Sequence, residues 1–156
     1  MPSGRIVIET QGEVTRIAGA IDESARLPEV LEHARAGRLV LDLGGVTFID
    51  SLGIRDWIQL QQAARRAGIV VELRRVSEPV IRHFNVILAA RGARVTSFFA
   101  PYGCDRCGRE DAVLIDAVTH ARRLAELAPP AMPCPTCGAD MVFDDFPERY
   151  FSFLSV

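Results

Sequence analysis

Lysine is absent from this 156-residue sequence, and all eighteen basic residues are arginines. That is a bias of genomic base composition and diagnoses no function. No apolar run approaches the roughly 20 residues a membrane-spanning helix needs. The N-terminus MPSGRIVIETQGEV also lacks the basic, apolar and small-residue succession of a secretory signal, so a cytoplasmic location is expected. There is no P-loop, G-x-G-x-x-G, nucleophile elbow or H-E-x-x-H. The adjacent carboxylates Asp144 and Asp145 have no base or nucleophile near them, and a non-enzymatic protein is expected. A strong charge of one sign is missing too. The net charge of −2 gives no global attraction to nucleic acid, although residues 1–100 carry 13 arginines against 11 acids and residues 101–156 carry 5 against 9.

What is present is a hydrophobic fraction of 49% with 24% charged residues, the balance of a soluble globular protein. The length suits one ordinary domain plus something small. Arg5–Thr10 and Val14–Ala18 flank Gly12 and predict a hairpin. Ile21-Asp22-Glu23-Ser24 opens a helix with Pro28 in its first turn and Leu27, Val30, Leu31 and Ala34 on one face, ending at Gly37.

The organising stretch follows. Leu39, Val40, Leu41 and Leu43 read as a buried strand broken by Gly44-Gly45. Asp50-Ser51 can cap a helix whose core face is Ile54, Trp57, Leu60 and Ala64. Gly68 suits its C-cap, and Ile69–Leu73 is another strand. Ser77-Glu78-Pro79 starts a helix with the stripe Val80, Ile81, Phe84, Ile87 and Leu88, closed by Gly92. Arg94–Phe99 makes a last strand that Ala100-Pro101-Tyr102-Gly103 breaks. The order β-β-α-β-α-β-α-β implies right-handed crossovers and an α/β fold with a mixed sheet.

Serine and aspartate are favoured N-caps in any helix, and a purely structural role for Ser51 is one reading. A helix N-terminus also favours an anion such as phosphate. The string LDLGGVTFIDSLGI, Leu41 to Ile54, resembles the signature of STAS domains, the sulfate-transporter and anti-sigma-factor-antagonist family, in which a D-S-x-G turn follows the central strand. The resemblance extends over Arg5–Phe99. In the antagonist branch the serine after the aspartate is phosphorylated by a partner anti-sigma factor that is also a kinase. By position this implies Ser51 as the phosphorylation site and Asp50, Ser51, Leu52 and Gly53 as the partner-binding turn. Leu52 departs from the pattern, since a second small hydroxyl residue often stands there.

The only cysteines are Cys104-x-x-Cys107 and Cys134-x-x-Cys137, with 26 residues between the pairs. Two pairs spaced to bite a metal from tight turns predict a four-cysteine structural zinc site, with Gly108 and Gly138 letting each turn close. Disulfides are disfavoured in a cytoplasmic chain, and a redox site would need one such pair after a strand in another fold. Four thiolates leave no open position for an activated water. His120 reads as a solvated loop or helix residue, with a bystander ligand as the alternative. Ala112–Ile115 and Met141–Phe143 are the expected paired strands of a zinc ribbon whose folding the metal would drive. Its acidic residues disfavour a phosphate backbone.

The expected domains are 1–100, STAS, and 101–156, the zinc ribbon with an aromatic tail, Phe146–Leu154. The tail is either a clasp onto the sheet or a docking patch. His33 and His83 are structural, and Arg65, Arg66, Arg74 and Arg75 form a solvated basic face. Two functions stay open: a regulator that binds an anti-sigma factor of serine-kinase type and is switched at Ser51, or an unphosphorylated scaffold subunit of a transporter or signalling assembly. A zinc-ribbon nucleic-acid binder is the weaker third, and a homodimer is compatible with each.

Overall fold

The computed structural model describes residues 5–154. Strands β1 (Val7–Gln11) and β2 (Val14–Ile21) form an antiparallel hairpin over Gly12, whose φ of 62° suits glycine. Strands β3 (Arg38–Ile49), β4 (Val70–Arg74) and β5 (Arg94–Val95) then add in parallel, in the order β1-β2-β3-β4-β5. A sheet that advances one strand at a time through right-handed crossovers returns each connection over the same face. Helix α1 (Ser51–Arg66) and helix α2 (Glu78–Val86) accordingly meet there, with the Trp57 and Phe84 rings 5.7 Å apart. Ile17, Leu41, Leu43, Leu73, Leu60 and Ile81 fill the layer between helices and sheet. The expected core face of α1 is buried throughout, and Trp57 Nε1 donates to the Ala90 carbonyl at 2.9 Å.

Strand register puts alternating charges side by side on the other face. Glu9, Arg16, Asp42 and Arg74 form one row, and Glu72 and Arg94 stand in the next. Glu72 is buried and takes guanidinium hydrogen bonds from both Arg38 and Arg74. Burial pushes its carboxyl up, but the hydrogen bonds and charges of the two arginines outweigh this and hold it below 4.5. The folded value therefore lies below the unfolded one. The stabilisation is complete above the unfolded value and disappears as pH falls through the folded one. Glu72→Gln is expected to cost about 1–3 kcal/mol at pH 7, with the gap to wild type closing toward pH 3 in urea unfolding. A gap unchanged by pH would assign the loss to packing.

Several local expectations are corrected. β3 does not stop at Gly44-Gly45 but runs to Ile49 through register shifts against β2. The glycine permits this close approach, because a Cβ on Gly45 would lie 2.7 Å from that of Ala18. The helix after Ile21 is two 3₁₀ segments, Glu23–Ala25 and Leu27–His33, split by Arg26 in the left-handed region at φ 50°. It ends at Ala34, and Gly37 instead turns the chain into β3. α2 stops at Val86 because Ile87 is extended. A 3₁₀ turn over Leu88–Ala90 follows, leaving Leu88 71% exposed and outside the stripe, well before Gly92.

The last expected strand is two strands. After β5 the chain enters β6 (Ser97–Gly103), which continues through the Ala100-Pro101-Tyr102-Gly103 stretch expected to break it. It is central to a second sheet, β7-β6-β9-β8, with β7 (Glu110–Asp116), β8 (Met132–Pro133) and β9 (Asp140–Phe143). Ala112–Ile115 and Met141–Phe143 are thus strands but not partners. They lie on opposite sides of β6, which occupies the pairing position between them. The short helix α3 (Ala121–Ala125) bridges β7 and β8.

The tail forms helix α4 (Pro147–Tyr150) and a 3₁₀ turn, Phe151–Leu154, and most of it is a clasp. Tyr150, Phe151 and Phe153 are buried. Tyr150 donates its hydroxyl to the Phe99 carbonyl at 2.6 Å, and burial pushes that phenol far above its ordinary value. Asn85 of α2 donates to the Tyr150 carbonyl at 3.0 Å and accepts from the Phe153 amide at 2.9 Å. Asp145 joins Arg149 of the tail to Arg82 of α2. Phe146 alone among the tail aromatics is largely exposed, at 67%.

Candidate functional site

Ile21 and Ile49 are register partners, so β2 and β3 end side by side and each is followed by an aspartate. Asp22 accepts from the Ser24 amide at 2.9 Å and caps the first 3₁₀ segment. Asp50 accepts from the Gly53 amide at 2.8 Å and caps α1. The Asp50 amide in turn donates to the Ile21 carbonyl at 3.1 Å, locking the two strand ends together. Ser51 is the first residue of α1 and is exposed, Leu52 is half-buried, and Gly53 is buried. The backbone N–H groups of Ser51 and Leu52 have no acceptor among the described residues. An exposed serine thus sits at the positive end of a 16-residue helix, directly after Asp50, while Asp22 follows the neighbouring strand end.

Gly53 lets the first turn of α1 settle on β2. A Cβ there would lie 2.4 Å from the Ile21 carbonyl oxygen, a backbone atom that cannot swing away. Gly53→Ala is expected to cost about 1–3 kcal/mol through this overlap, read as a lowered urea midpoint with unchanged slope. An unchanged midpoint would show that α1 slides without penalty.

The second site is the cysteine cluster. The Sγ atoms of Cys104, Cys107, Cys134 and Cys137 all lie within 4.8 Å of one another, with Cys104–Cys137 at 3.5 Å and Cys107–Cys134 at 3.6 Å. A tetrahedral ion bound at about 2.3 Å needs sulfurs about 3.8 Å apart, so this donor set can hold a metal ion. Each pair sits in the same turn. Gly108 and Gly138, at φ 78° and 76°, donate back to the Cys104 and Cys134 carbonyls at 2.8 Å, and the Cys104 and Cys134 amides donate to Arg109 and Ala139. The Cys107 amide aimed at Cys104 and the Cys137 amide aimed at Cys134 are the leading causes that lower those two thiols. Arg109 reaches across from one turn to Thr136 Oγ1 of the other at 3.0 Å while pairing with Asp111. His120 stands apart from the cluster as the residue before α3.

A family model described as "Mlab, STAS domain" matches residues 2–97. The chain belongs to the STAS-domain family. No curated protein matches it. The match covers the first sheet and its helices and ends where β6 begins, so the cysteine cluster lies outside the STAS part.

All four residues of the D-S-x-G turn are where the sequence placed them relative to α1, and the four cysteines converge. Sequence reasoning missed Asp22. Its signal was the repeated Ile-Asp pair, Ile21-Asp22 and Ile49-Asp50, at the ends of two adjacent parallel strands. His33 Nδ1 lies 3.0 Å from Thr10 Oγ1, and His83 Nδ1 lies 3.1 Å from the Pro79 carbonyl. Each ring is thus engaged by a neighbouring residue of the fold. Among the described residues no helix is long and apolar enough to cross a membrane.

Proposed function

We propose that this STAS protein is a non-enzymatic cytoplasmic regulator that binds a partner protein, an anti-sigma factor of serine-kinase type, through Asp50, Ser51, Leu52 and Gly53. Phosphorylation of Ser51 switches the binding. The observation that carries this reading is the exposed Ser51 at the capped N-terminus of α1. A phosphate there adds about −1.5 to −2 charges. The two free N–H groups and the helix dipole stabilise it in the unbound protein. Against a partner, the same charge beside Asp22 and Asp50 costs repulsion and desolvation. Residues 1–100 are assigned the partner surface, and residues 101–156 a zinc-bound structural unit in which Cys104, Cys107, Cys134 and Cys137 hold Zn²⁺ and no water is activated.

The test is a pull-down from native lysate with wild type, Ser51→Ala and Ser51→Asp. A kinase-type partner held by wild type and Ser51→Ala but lost with Ser51→Asp supports the switch. Equal retention by all three sinks it. One observation favours a second reading, an unphosphorylated scaffold subunit: Leu52 replaces the second hydroxyl, and Phe48, two residues before Asp50, is 40% exposed, so this end of the fold offers apolar contact without phosphate. Retention by all three variants together with loss on Leu52→Asp would select that reading.

A further inference from the structure

Strand β7 is an open edge of the second sheet. It pairs with β6 on one side, and no strand among the described residues pairs with its other side. We infer that this edge docks an extended segment of a partner protein, one with a basic residue at each end of a short apolar stretch, which adds a further strand to the sheet.

The backbone hydrogen bonds of β6 show which groups of β7 are open. In an antiparallel pair, residues bonded across the pair alternate with residues whose N–H and C=O point away from it. Phe99 and Pro101 point away from β7. The Phe99 amide donates to the Val76 carbonyl at 2.9 Å, and the Phe99 carbonyl accepts from the Tyr150 hydroxyl. Pro101 has no N–H, and its carbonyl accepts from the Asp144 amide at 2.9 Å. Their register partners Leu114 and Ala112 therefore turn N–H and C=O outward on the opposite side, and both residues are exposed. Such groups are a template for a further strand.

The side chains specify which strand. Glu110, Ala112, Leu114 and Asp116 alternate on one face, so two exposed apolar residues are bracketed by acids. Neither acid pairs with an arginine among the described residues, whereas Asp111 on the other face takes Arg109. A second copy of this strand does not fit. Antiparallel self-pairing about Val113 sets Glu110 opposite Asp116 at both ends, and like charges directly opposite are destabilising. A segment reading basic-x-apolar-x-apolar-x-basic instead places a cation opposite each acid and apolar side chains beside Ala112 and Leu114. A groove of about 430 Å³ lined by Pro79, Phe99 and Ala112 receives one of those side chains. Arg75, over the Phe99 ring, is neutralised by Asp42.

The test titrates the full ¹⁵N-labelled chain, without chelator, with the peptide Arg-Thr-Val-Thr-Val-Thr-Arg and, separately, with Glu-Thr-Val-Thr-Val-Thr-Glu. The arginine peptide is expected to shift the Ala112 and Leu114 amides saturably and to slow their hydrogen exchange about tenfold or more. The glutamate peptide is expected to do neither. Ala112→Pro removes an outward N–H while sparing the ladder to β6, and is expected to keep the near-UV spectrum and abolish saturation. Glu110→Arg is expected to weaken binding roughly fivefold. No saturable shift at Ala112 and Leu114 with the arginine peptide, equal shifts with both peptides, or binding unaltered by Ala112→Pro or by Glu110→Arg would overturn the proposal. Exchange at these amides that slows with rising protein concentration in the absence of peptide would overturn it in favour of a second copy.

Discussion

Stripping metal with a chelator is expected to unfold the second sheet while leaving Trp57 buried. The reason is the scale of the two cores. The first sheet is covered by α1 and α2 over many fully buried aliphatic side chains. β8 and β9 have two and four residues and are joined by the Cys134–Cys137 turn, as β6 and β7 are by the Cys104–Cys107 turn. Structural Zn²⁺ in small Cys/His units is worth about 10–16 kcal/mol of apparent folding free energy at neutral pH, more than the whole stability of an ordinary domain. The probes are already placed, since Trp57, the only tryptophan, reports the first sheet, while Tyr102 and Tyr150 report the second sheet and its clasp. Tyr102 donates to the Pro130 carbonyl at 2.7 Å, and burial pushes its phenol up to about 12, so its release would be visible by near-UV absorbance and pH titration. Cys134→Ser is expected to reproduce the chelator effect. A chelated protein with four titratable thiols and an unchanged near-UV spectrum would mean that the sheet stands without metal.

The second large effect is expected from Phe151→Ala. Its ring stacks on Phe143 of β9 with centroids 4.9 Å apart and meets Phe98 of β6 edge-on at 6.0 Å. Phe98 itself bridges to Val76 beside β4, and Thr96 donates to the Leu73 carbonyl, so this aromatic cluster joins the two sheets. Truncating a fully buried phenylalanine costs about 3–5 kcal/mol, a melting shift on the order of 10 °C for a chain of this size. The control is Phe146→Ala, which is exposed and expected to change stability by less than about 0.5 kcal/mol. The tryptophan and tyrosine signals should shift together in Phe151→Ala. If only the tyrosine transition moved, the clasp would not couple the two units.

The clasp shows why some sequence expectations stayed open. Tyr150, Phe151, Phe153 and Phe146 look alike in the sequence, and nothing local distinguishes the three that meet Asn85 and Phe98 from the one that meets solvent. The same holds for β6. Pro101 and Gly103 are ordinary strand breakers, but β7 and β9 supply partners on both sides, and tertiary pairing overrides local preference.

The sequence by itself determined the features whose physics is local. These are the hairpin over Gly12, the Asp50 cap and core stripe of α1, the Schellman-type end at Gly68, and the two cysteine turns closed by Gly108 and Gly138. Each depends on residues within about four or five positions of one another, where spacing and backbone preference suffice. Only the tertiary structure decided that β3 runs through its glycines beside Ala18, that Asp22 stands level with Asp50, that β6 separates the two expected ribbon strands, and that the tail aromatics lock one sheet to the other. Those outcomes depend on contacts between distant segments, where close approach, burial and competition for hydrogen bonds choose among arrangements that the local sequence allows equally.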